Sequence, residues 1–404
     1  MSLRCVHIES GLRVTNYGTT QPCCYFDPKA DYKNPEGKKL NVNSTKVQDV
    51  FKNQTLTDLR EKFSKGEKPE QCNRCWKEEE AGIESKRIRD TRNFGEKQLV
   101  DTVRFLELNL GNTCNFACRM CGVEASIKWY KEDRRLRFAD KTDDEYKSYV
   151  KKMYKSYEDD SLFWQSVYDV APTLETIDMY GGEPFLVQKQ WEFLEELIRL
   201  GYSKNIRLHF NTNGSIFSQK YFEILDQFKH TTISFSIDGV DEKFNYIRHH
   251  GNWESVLDNM AKWNNVTLNK DNFRLDICVT VSVLNILDLG EVSSFFINTF
   301  PNMPLFFNQV SWPLYYSVKC IPNRFKGIIT DRLINYVDSI DLQEVKDQIY
   351  TTIEFMNKNS TPEKHFDDFF RVNDVLDESR NQNFKNTFPE LYNIFETHNK
   401  KQVI

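Results

Sequence analysis

The sequence predicts an α/β fold: a partial (β/α)6 TIM-like barrel with a cysteine-rich domain before it and a helical extension after it. From residue 103, short β-type runs alternate with amphipathic helical stretches. Residues 1–100 contain five cysteines and many Lys, Asn and Gly residues. Beyond residue 321 the pattern is helical and rich in aromatic residues. We therefore expect three domains, at residues 1–100, 101–320 and 321–404.

Six runs rich in β-branched or aromatic residues predict the strands of the barrel, and most of them end in or near Gly, Asn or Asp. They cover residues 103–110, 176–182, 206–214, 231–239, 274–282 and 304–312. Stretches between them place apolar residues at three- and four-residue steps, which is typical of helices that pack on a sheet. Alternation of this kind predicts a parallel sheet.

The carboxyl ends of these strands carry the residues with the most distinctive chemistry. In βα barrels, the loops at these ends build the active site. A cysteine triplet follows the first strand, and Gly181-Gly182-Glu183-Pro184 follows the second. The third strand ends at residues 211–214 and the fourth at residues 236–239. Four motifs that are distant in the sequence are therefore predicted to share one rim.

Composition and charge argue against several classes of protein. The chain has 54 basic and 59 acidic side chains and a formal net charge of −5. Nucleic acid is not expected as a partner, because proteins that bind it usually show a basic surplus. No apolar run is long enough to span a membrane. The first residues lack the basic start and apolar stretch of a secretory signal. We expect a cytoplasmic protein.

Cys114, Cys118 and Cys121 form a C-x3-C-x2-C loop. Thiolates are the natural ligands of iron–sulfur clusters. Three of them leave one iron of a [4Fe-4S] cluster without a protein ligand, and that iron can hold a small molecule. A zinc site that borrows a fourth ligand elsewhere, or three unbound thiols, would use the same residues. The triplet alone leaves these alternatives open.

The triplet after the first strand and the Gly-Gly-Glu-Pro motif after the second resemble the radical S-adenosylmethionine (SAM) superfamily. The resemblance implies that the triplet cluster binds SAM. It also implies that Gly181, Gly182 and Glu183 contact the amino group of the methionine moiety of SAM. Arg248 occupies a position where related enzymes pair with the SAM carboxylate, which suits a guanidinium group.

Four further positions are implied as SAM contacts by the same resemblance. Ser236 and Asp238 stand where family members contact the ribose. Asn213 ends the third predicted strand and is expected to contact SAM or substrate. Met120 stands just before the third cysteine, where the family often has an aromatic residue near the adenine. Methionine can still cover a flat ring with its soft apolar surface.

The N-terminal region contains a second set of spaced cysteines. Cys5 and Cys23 form one arm, and Cys72 and Cys75 form a C-x2-C pair. Together they resemble the twitch or SPASM region of radical SAM enzymes, which implies an auxiliary [4Fe-4S] cluster. That region usually follows the barrel, whereas here it precedes it. A four-cysteine zinc site would use similar arms, so the metal is left open. We expect Cys24 to be a bystander.

The resemblance implies an enzyme that reductively cleaves SAM to a 5′-deoxyadenosyl radical, which then abstracts hydrogen from a substrate. It favours modification of a peptide or protein first, and dehydrogenation of a cyclitol or sugar second. It also implies a reducing partner such as flavodoxin or ferredoxin. A non-catalytic zinc- or cluster-binding interaction protein is the alternative of a different class. No general acid or base is singled out, although His209, His249 and His250 lie near the rim motifs.

Overall fold

The computed structural model describes residues 3–27, 29–80, 84–95, 102–153, 157, 161–358 and 361–399. Its contacts divide the chain into two compact units. The first unit comprises Met1–Thr113, Lys147–Phe210 and Ser218–Thr232. The second unit comprises Cys114–Tyr146, Asn211–Phe217 and Ile233–Ile404.

The strands follow one another along the chain with helices between most of them. They are β1 (Gly11–Val14), β2 (Thr20–Gln21), β3 (Phe105–Asn109), β4 (Ala117–Cys118), β5 (Thr176–Tyr180), β6 (Arg207–Thr212), β7 (His230–Ser236), β8 (Arg248–His249), β9 (Phe273–Val281) and β10 (Leu305–Gln309).

The α-helices fall into an N-terminal group, a group between the strands and a C-terminal group. They are α1 (Val6–Ser10), α2 (Val47–Phe51), α3 (Gln54–Ser64), α4 (Asn73–Glu80), α5 (Lys86–Phe94), α6 (Tyr130–Arg137), α7 (Asp143–Met153), α8 (Ser161–Val170), α9 (Gln188–Arg199), α10 (Gln219–Leu225), α11 (Asp241–Ile247), α12 (Trp253–Thr267), α13 (Leu289–Thr299), α14 (Asn323–Asp338), α15 (Gln343–Asn357), α16 (Lys364–Arg380), α17 (Phe384–Thr387) and α18 (Pro389–Asn399).

The sheet of the first unit is parallel except at its edge. Strands β1, β3, β5 and β6 run parallel in that order, and β2 pairs with β1 in the antiparallel sense. Side chains alternate between the two faces of a strand. Leu106, Leu108, Ile177 and Met179 are fully buried on one face. The N-terminal segment thus contributes β1 to the same sheet as the βα units.

In the second unit, β9 lies between β7 and β10 and pairs with β10 in parallel. A two-stranded antiparallel ribbon joins β4 to β8 and places Cys118 opposite Arg248. The C-terminal helices pack around an aromatic cluster in which the rings of Phe325 and Phe366 both contact Phe395. Aromatic pairs of this kind stabilise a core beyond the area that they bury.

All six strands that the sequence predicts for the barrel form, as β3, β5, β6, β7, β9 and β10. The predicted α/β class, with a parallel sheet and a helical C-terminal region, is confirmed. Within the part of the chain that the structure describes, no helix combines the length and apolarity needed to cross a membrane.

Candidate metal and cofactor sites

The cysteine triplet lies in the loop that follows β3, and all three thiols belong to the second unit. Cys114 and Cys118 are buried and Cys121 is half-buried. The Cys121 amide donates to the Cys118 carbonyl at 3.0 Å, which closes a tight turn and brings the two side chains together. A hydrogen bond from Cys121 outweighs burial and, with the charge of Arg248, lowers the pKa of Cys118 to about 7. The loop therefore favours a thiolate at Cys118.

Two donors from other elements approach the sulfur atoms of this loop. Nδ2 of Asn213 lies 3.9 Å from Sγ of Cys114 and donates to Oδ1 of Asn115 at 2.9 Å. Nη1 of Arg248 lies 3.6 Å from Sγ of Cys118. Hydrogen bonds and positive charge at cluster sulfurs stabilise the electron-rich state and tune the reduction potential. The donor set around the triplet therefore fits an iron–sulfur cluster.

Arg248 and Asp238 form a buried ion pair, with Nη2 and Oδ2 separated by 2.7 Å. Asp238 is fully buried, and its Oδ1 accepts a hydrogen bond from the Thr280 amide at 2.8 Å. Ser236 is half-buried at the end of β7. If SAM contacts Asp238 or Arg248, the ion pair between these two side chains must either accommodate SAM or separate. Their roles toward the ribose and the carboxylate, and the role of Ser236, remain predictions.

Met120 is half-buried in the same loop, between buried Arg119 and Cys121. Its proposed place beside the adenine also remains a prediction.

His249 and His250 are adjacent in the second unit, and their ring centroids lie 4.1 Å apart. Burial, reinforced by the charge of Arg380, lowers the pKa of His249 to about 4, so this imidazole is neutral at pH 7.

The Gly181-Gly182-Glu183 loop lies in the first unit, packed against residues 109–113. Gly181 has φ = +105°, and a Cβ there would meet Oδ1 of Asn109. A Cβ on Gly182 would meet the carbonyl oxygen of Thr113. The Glu183 amide donates to that same carbonyl at 2.8 Å. Glycine is therefore required here for close approach of two backbone segments.

Glu183 is fully buried, and its Oε1 accepts a hydrogen bond from the Phe185 amide at 3.0 Å. The carboxylate thereby caps the short 3-10 helix that begins at Pro184. The cap engages one of the two carboxylate oxygens of Glu183. The contact between Glu183 and the amino group of SAM remains a prediction.

We predict that Gly182→Ala will disturb the entry to the cysteine loop, because Thr113 must shift and directly precedes Cys114. Overpacking against backbone costs about 1–3 kcal/mol. Denaturant unfolding should show that loss, and iron content after anaerobic reconstitution should fall. Gly327→Ala in α14 is the matched control, since a Cβ there meets nothing within 4 Å. It should stabilise the chain by up to about 1 kcal/mol. Equal stability of the two variants would contradict the prediction.

The four spaced N-terminal cysteines line one cavity in the first unit. These cysteines are Cys5, Cys23, Cys72 and Cys75, and Ile8, Phe26 and Phe63 line the same cavity. Cys5 precedes α1, and Cys75 lies in α4. Burial raises the pKa of Cys5 and of Cys72 to about 12. Four thiols around one largely apolar cavity fit a fully ligated metal centre, and loading it must release protons.

Cys24 does not line this cavity. Its thiol interacts electrostatically with Glu107, Lys86 and Arg13, and burial raises its pKa to about 12. The expectation that Cys24 is not a ligand stays a prediction. In the described part of the chain, no group of three or more His, Cys, Asp or Glu side chains is close enough together to hold a single metal ion. The four N-terminal cysteines share a cavity, and the triplet shares a loop with two donors near its sulfur atoms.

The pKa values predict different thiol reactivity in the metal-free protein. At pH 8, Cys118 should be mostly thiolate, because its pKa is about 7, whereas Cys5 should stay protonated, because its pKa is about 12. Iodoacetamide labelling, read by peptide mass spectrometry from pH 6 to 10, should modify Cys118 before Cys5. Protein in guanidinium chloride is the control, in which both should react alike. Faster labelling of Cys5 in the folded chain would contradict this order.

Two family profiles match the chain. One, described as the radical SAM superfamily, matches residues 108–294. The other, SPASM, is described as an iron–sulfur cluster-binding domain and matches residues 5–76. The chain belongs to the radical SAM superfamily. More particularly, it is a SPASM-type member whose auxiliary-cluster domain precedes the barrel, as the motifs predict.

Several solved structures are similar to this chain. Native anSMEcpe with bound AdoMet and the Cp18Cys peptide is 17% identical, with a TM-score of 0.38, over 58% of this chain and 60% of that one. Streptococcus suis SuiB bound to S-adenosylmethionine is 12% identical, with a TM-score of 0.34, over 82% and 69% of the two chains. SuiB bound to the precursor peptide SuiA is 14% identical, with a TM-score of 0.34, over 92% and 78%. The match spans three fifths of the anSMEcpe chain. No curated protein matches.

The radical SAM match indicates that the protein is an enzyme. Its cofactors are SAM, a [4Fe-4S] cluster that binds SAM, and an auxiliary [4Fe-4S] cluster.

Two features of the structure were not predicted from the sequence. One is the set of side chains that hold Arg119, and the other is a polar row across β1, β3, β5 and β6. The polar row could have been predicted from Glu107 and Asp178, because each is a charged residue inside an otherwise apolar strand.

Proposed function

We propose that this enzyme reductively cleaves SAM and uses the resulting 5′-deoxyadenosyl radical to abstract hydrogen from a peptide or protein. One observation carries the proposal: three cysteines share a buried loop, with Asn213 and Arg248 placed against their sulfur atoms. In this proposal, Cys114, Cys118 and Cys121 hold the SAM-binding cluster. The four cavity-lining cysteines of the first unit hold the auxiliary cluster.

Cluster and SAM, when bound, supply the electron and the radical. The protein holds and tunes them. Arg248 and Asn213 supply donors to the thiolates, and the buried Asp238 fixes the Arg248 guanidinium in place. Following the family resemblance, we assign Gly181, Gly182 and Glu183 to the amino group of SAM. The remaining assigned contacts are Arg248 to the carboxylate, Ser236 and Asp238 to the ribose, Met120 to the adenine, and Asn213 to SAM or substrate.

A peptide or protein is the favoured substrate because SPASM-type accessory domains accompany enzymes that modify peptides. Dehydrogenation of a cyclitol or sugar is the second candidate. The reducing partner is proposed to be a flavodoxin or ferredoxin. The three-domain division at residues 1–100, 101–320 and 321–404 is part of the same proposal.

The first test is release of 5′-deoxyadenosine by the anaerobically reconstituted, reduced protein with SAM. Release should depend on Cys118, so Cys118→Ala should fall to background. Iron content should be about eight atoms per chain, as two four-iron clusters require. Roughly four irons with one zinc would instead assign zinc to the N-terminal cysteines. Release equal to that of Cys118→Ala would overturn the proposed activity.

The second test identifies the substrate class. Cells grown on deuterated medium provide a peptide fraction and a small-molecule fraction, each added to the protein with unlabelled SAM. Deuterium should enter 5′-deoxyadenosine from the peptide fraction, because the radical takes its hydrogen from the substrate carbon. Deuterium transfer from the small-molecule fraction alone would replace the peptide proposal with the second candidate.

A further inference from the structure

A row of charged and polar side chains crosses the sheet of the first unit. Strand pairing aligns Arg13 of β1 with Glu107 of β3, Glu107 with Asp178 of β5, and Asp178 with His209 of β6. Aligned positions on neighbouring strands lie about 5 Å apart and on the same face. The four side chains therefore form one continuous row, on the face opposite Leu106 and Ile177.

The row is partly withdrawn from water, because Glu107 is buried whereas Arg13, Asp178 and His209 are half-buried. Glu107 is only 2% exposed, and its Oε2 accepts a hydrogen bond from the Tyr180 hydroxyl at 2.9 Å. Lys86 Nζ lies 3.0 Å from Asp90 and 3.4 Å from Oε1 of Glu107, the second distance being long for a hydrogen bond. Nδ1 of His209 lies 3.7 Å from Asp178. Burial at this depth is costly unless the groups have partners.

Two buried polar atoms at one end of the row have no hydrogen-bond partner. They are Nε of Arg13, a donor, and Oε1 of Glu107, an acceptor. The rest of Arg13 is held in place, because its Nη1 donates to Oε1 of Gln21 at 2.8 Å. An unsatisfied buried donor or acceptor destabilises a folded protein, and such groups are rare in native structures. Here a donor and an acceptor stand on adjacent, aligned strands.

We propose that Arg13 and Glu107 bind a carboxamide group, the side-chain amide of an asparagine or glutamine in the peptide substrate. A carboxamide presents an acceptor oxygen and a donor NH2 side by side. The oxygen accepts from Nε of Arg13, and the NH2 donates to Oε1 of Glu107. A carboxylate would face the charge of Glu107, and an ammonium group would face that of Arg13. This inference rests on the proposed peptide substrate and narrows it to peptides that contain an amide side chain.

The test measures binding without chemistry. The reconstituted full chain, with SAM but no reductant, is titrated with N-acetylglutamine methylamide, N-acetylglutamate methylamide and N-acetylnorleucine methylamide. Binding is read by saturation-transfer NMR and calorimetry. The glutamine probe should bind at least about tenfold more tightly than the other two, because only it satisfies both buried atoms.

Two variants then locate the site. Glu107→Gln should reverse the preference toward the glutamate probe, because the new NH2 can donate to a carboxylate. Arg13→Lys keeps the charge, removes the Nε donor and should weaken glutamine-probe binding. Glu192→Gln, on the exposed surface of α9, is the control and should leave all affinities unchanged.

The proposal is overturned if the native chain does not bind the glutamine probe more tightly than the other two. This measurement uses the native chain alone, so it tests the proposal even if a variant fails to fold. An unchanged preference in folded Glu107→Gln also overturns it. Because no reductant is present, the result is separate from SAM cleavage. Release of 5′-deoxyadenosine without amide binding would reject this site alone. Amide binding without that release would reject the proposed activity alone.

Discussion

Replacing Arg119 with Leu should abolish cluster binding at the cysteine triplet and destabilise the second unit by about 3–5 kcal/mol, the cost of breaking a buried ion pair. Arg119 stands between Cys118 and Cys121, and its side chain is fully buried. It is held by two residues of the C-terminal region, which lie 254 and 258 residues away along the chain. Nη1 donates to Asn373 at 2.6 Å, and Nη2 contacts Asp377.

Two contacts with Tyr246, and a hydrogen bond from Nη2 to Oε1 of Gln382 at 3.1 Å, also surround this guanidinium. Nε donates to the Tyr246 carbonyl at 3.1 Å, and the guanidinium carbon lies 3.5 Å from the ring centroid. Cation–π contacts of this kind add to stability when they are desolvated. Because every donor face of Arg119 is engaged, its backbone holds the flanking cysteines in one position. The C-terminal helices therefore support the cluster loop in addition to forming their own aromatic core.

A neighbouring ion pair between α6 and α16 provides a matched control. Arg135 pairs with Glu378, the residue next to Asp377, but both side chains are largely exposed. Exposed pairs contribute about 0–1 kcal/mol, so Arg135→Leu should change stability little and leave iron content intact. Denaturant unfolding of the metal-free chain gives the stability difference, and absorbance and iron analysis after reconstitution give cluster loading. Equal effects of the two substitutions would contradict a specific role for Arg119.

The sequence allowed prediction of local features and of those set by strand–helix alternation. The six strands, the cysteine spacings and the order of the two cluster domains all depend on residue patterns within short windows. The support of Arg119 by Asn373 and Asp377 could not be predicted, because these residues lie 254 and 258 positions away and the contact depends on how α16 packs. The parallel pairing of β1 with β3 was missed for the same reason. A four-residue strand has too little pattern to show which partner it joins.

The ion pair of Arg248 and Asp238 leads to a prediction in which pH has a definite sign. Arg248→Gln leaves the Asp238 carboxylate buried without its countercharge, which should cost about 3–5 kcal/mol at pH 7. Burial already raises the pKa of Asp238, against the opposing charge of Arg248. Removing Arg248 must raise that pKa further. A folded-state pKa above the unfolded value of about 3.9 means that folding takes up a proton, so stability increases as pH falls. The variant should therefore recover part of its loss between pH 7 and pH 5.

Denaturant unfolding of metal-free protein at several pH values measures this recovery as a difference from the native chain. The double variant Arg248→Gln, Asp238→Asn is the control. It has no carboxyl group at residue 238, so its own stability should lack the recovery that Arg248→Gln shows as pH falls. If Arg248→Gln behaved in the same way, the Asp238 carboxylate would not be the source of the penalty. Arg248 would then act mainly on Cys118, whose sulfur lies 3.6 Å from its Nη1. In that case the variant should instead slow iodoacetamide labelling of Cys118 by raising its pKa.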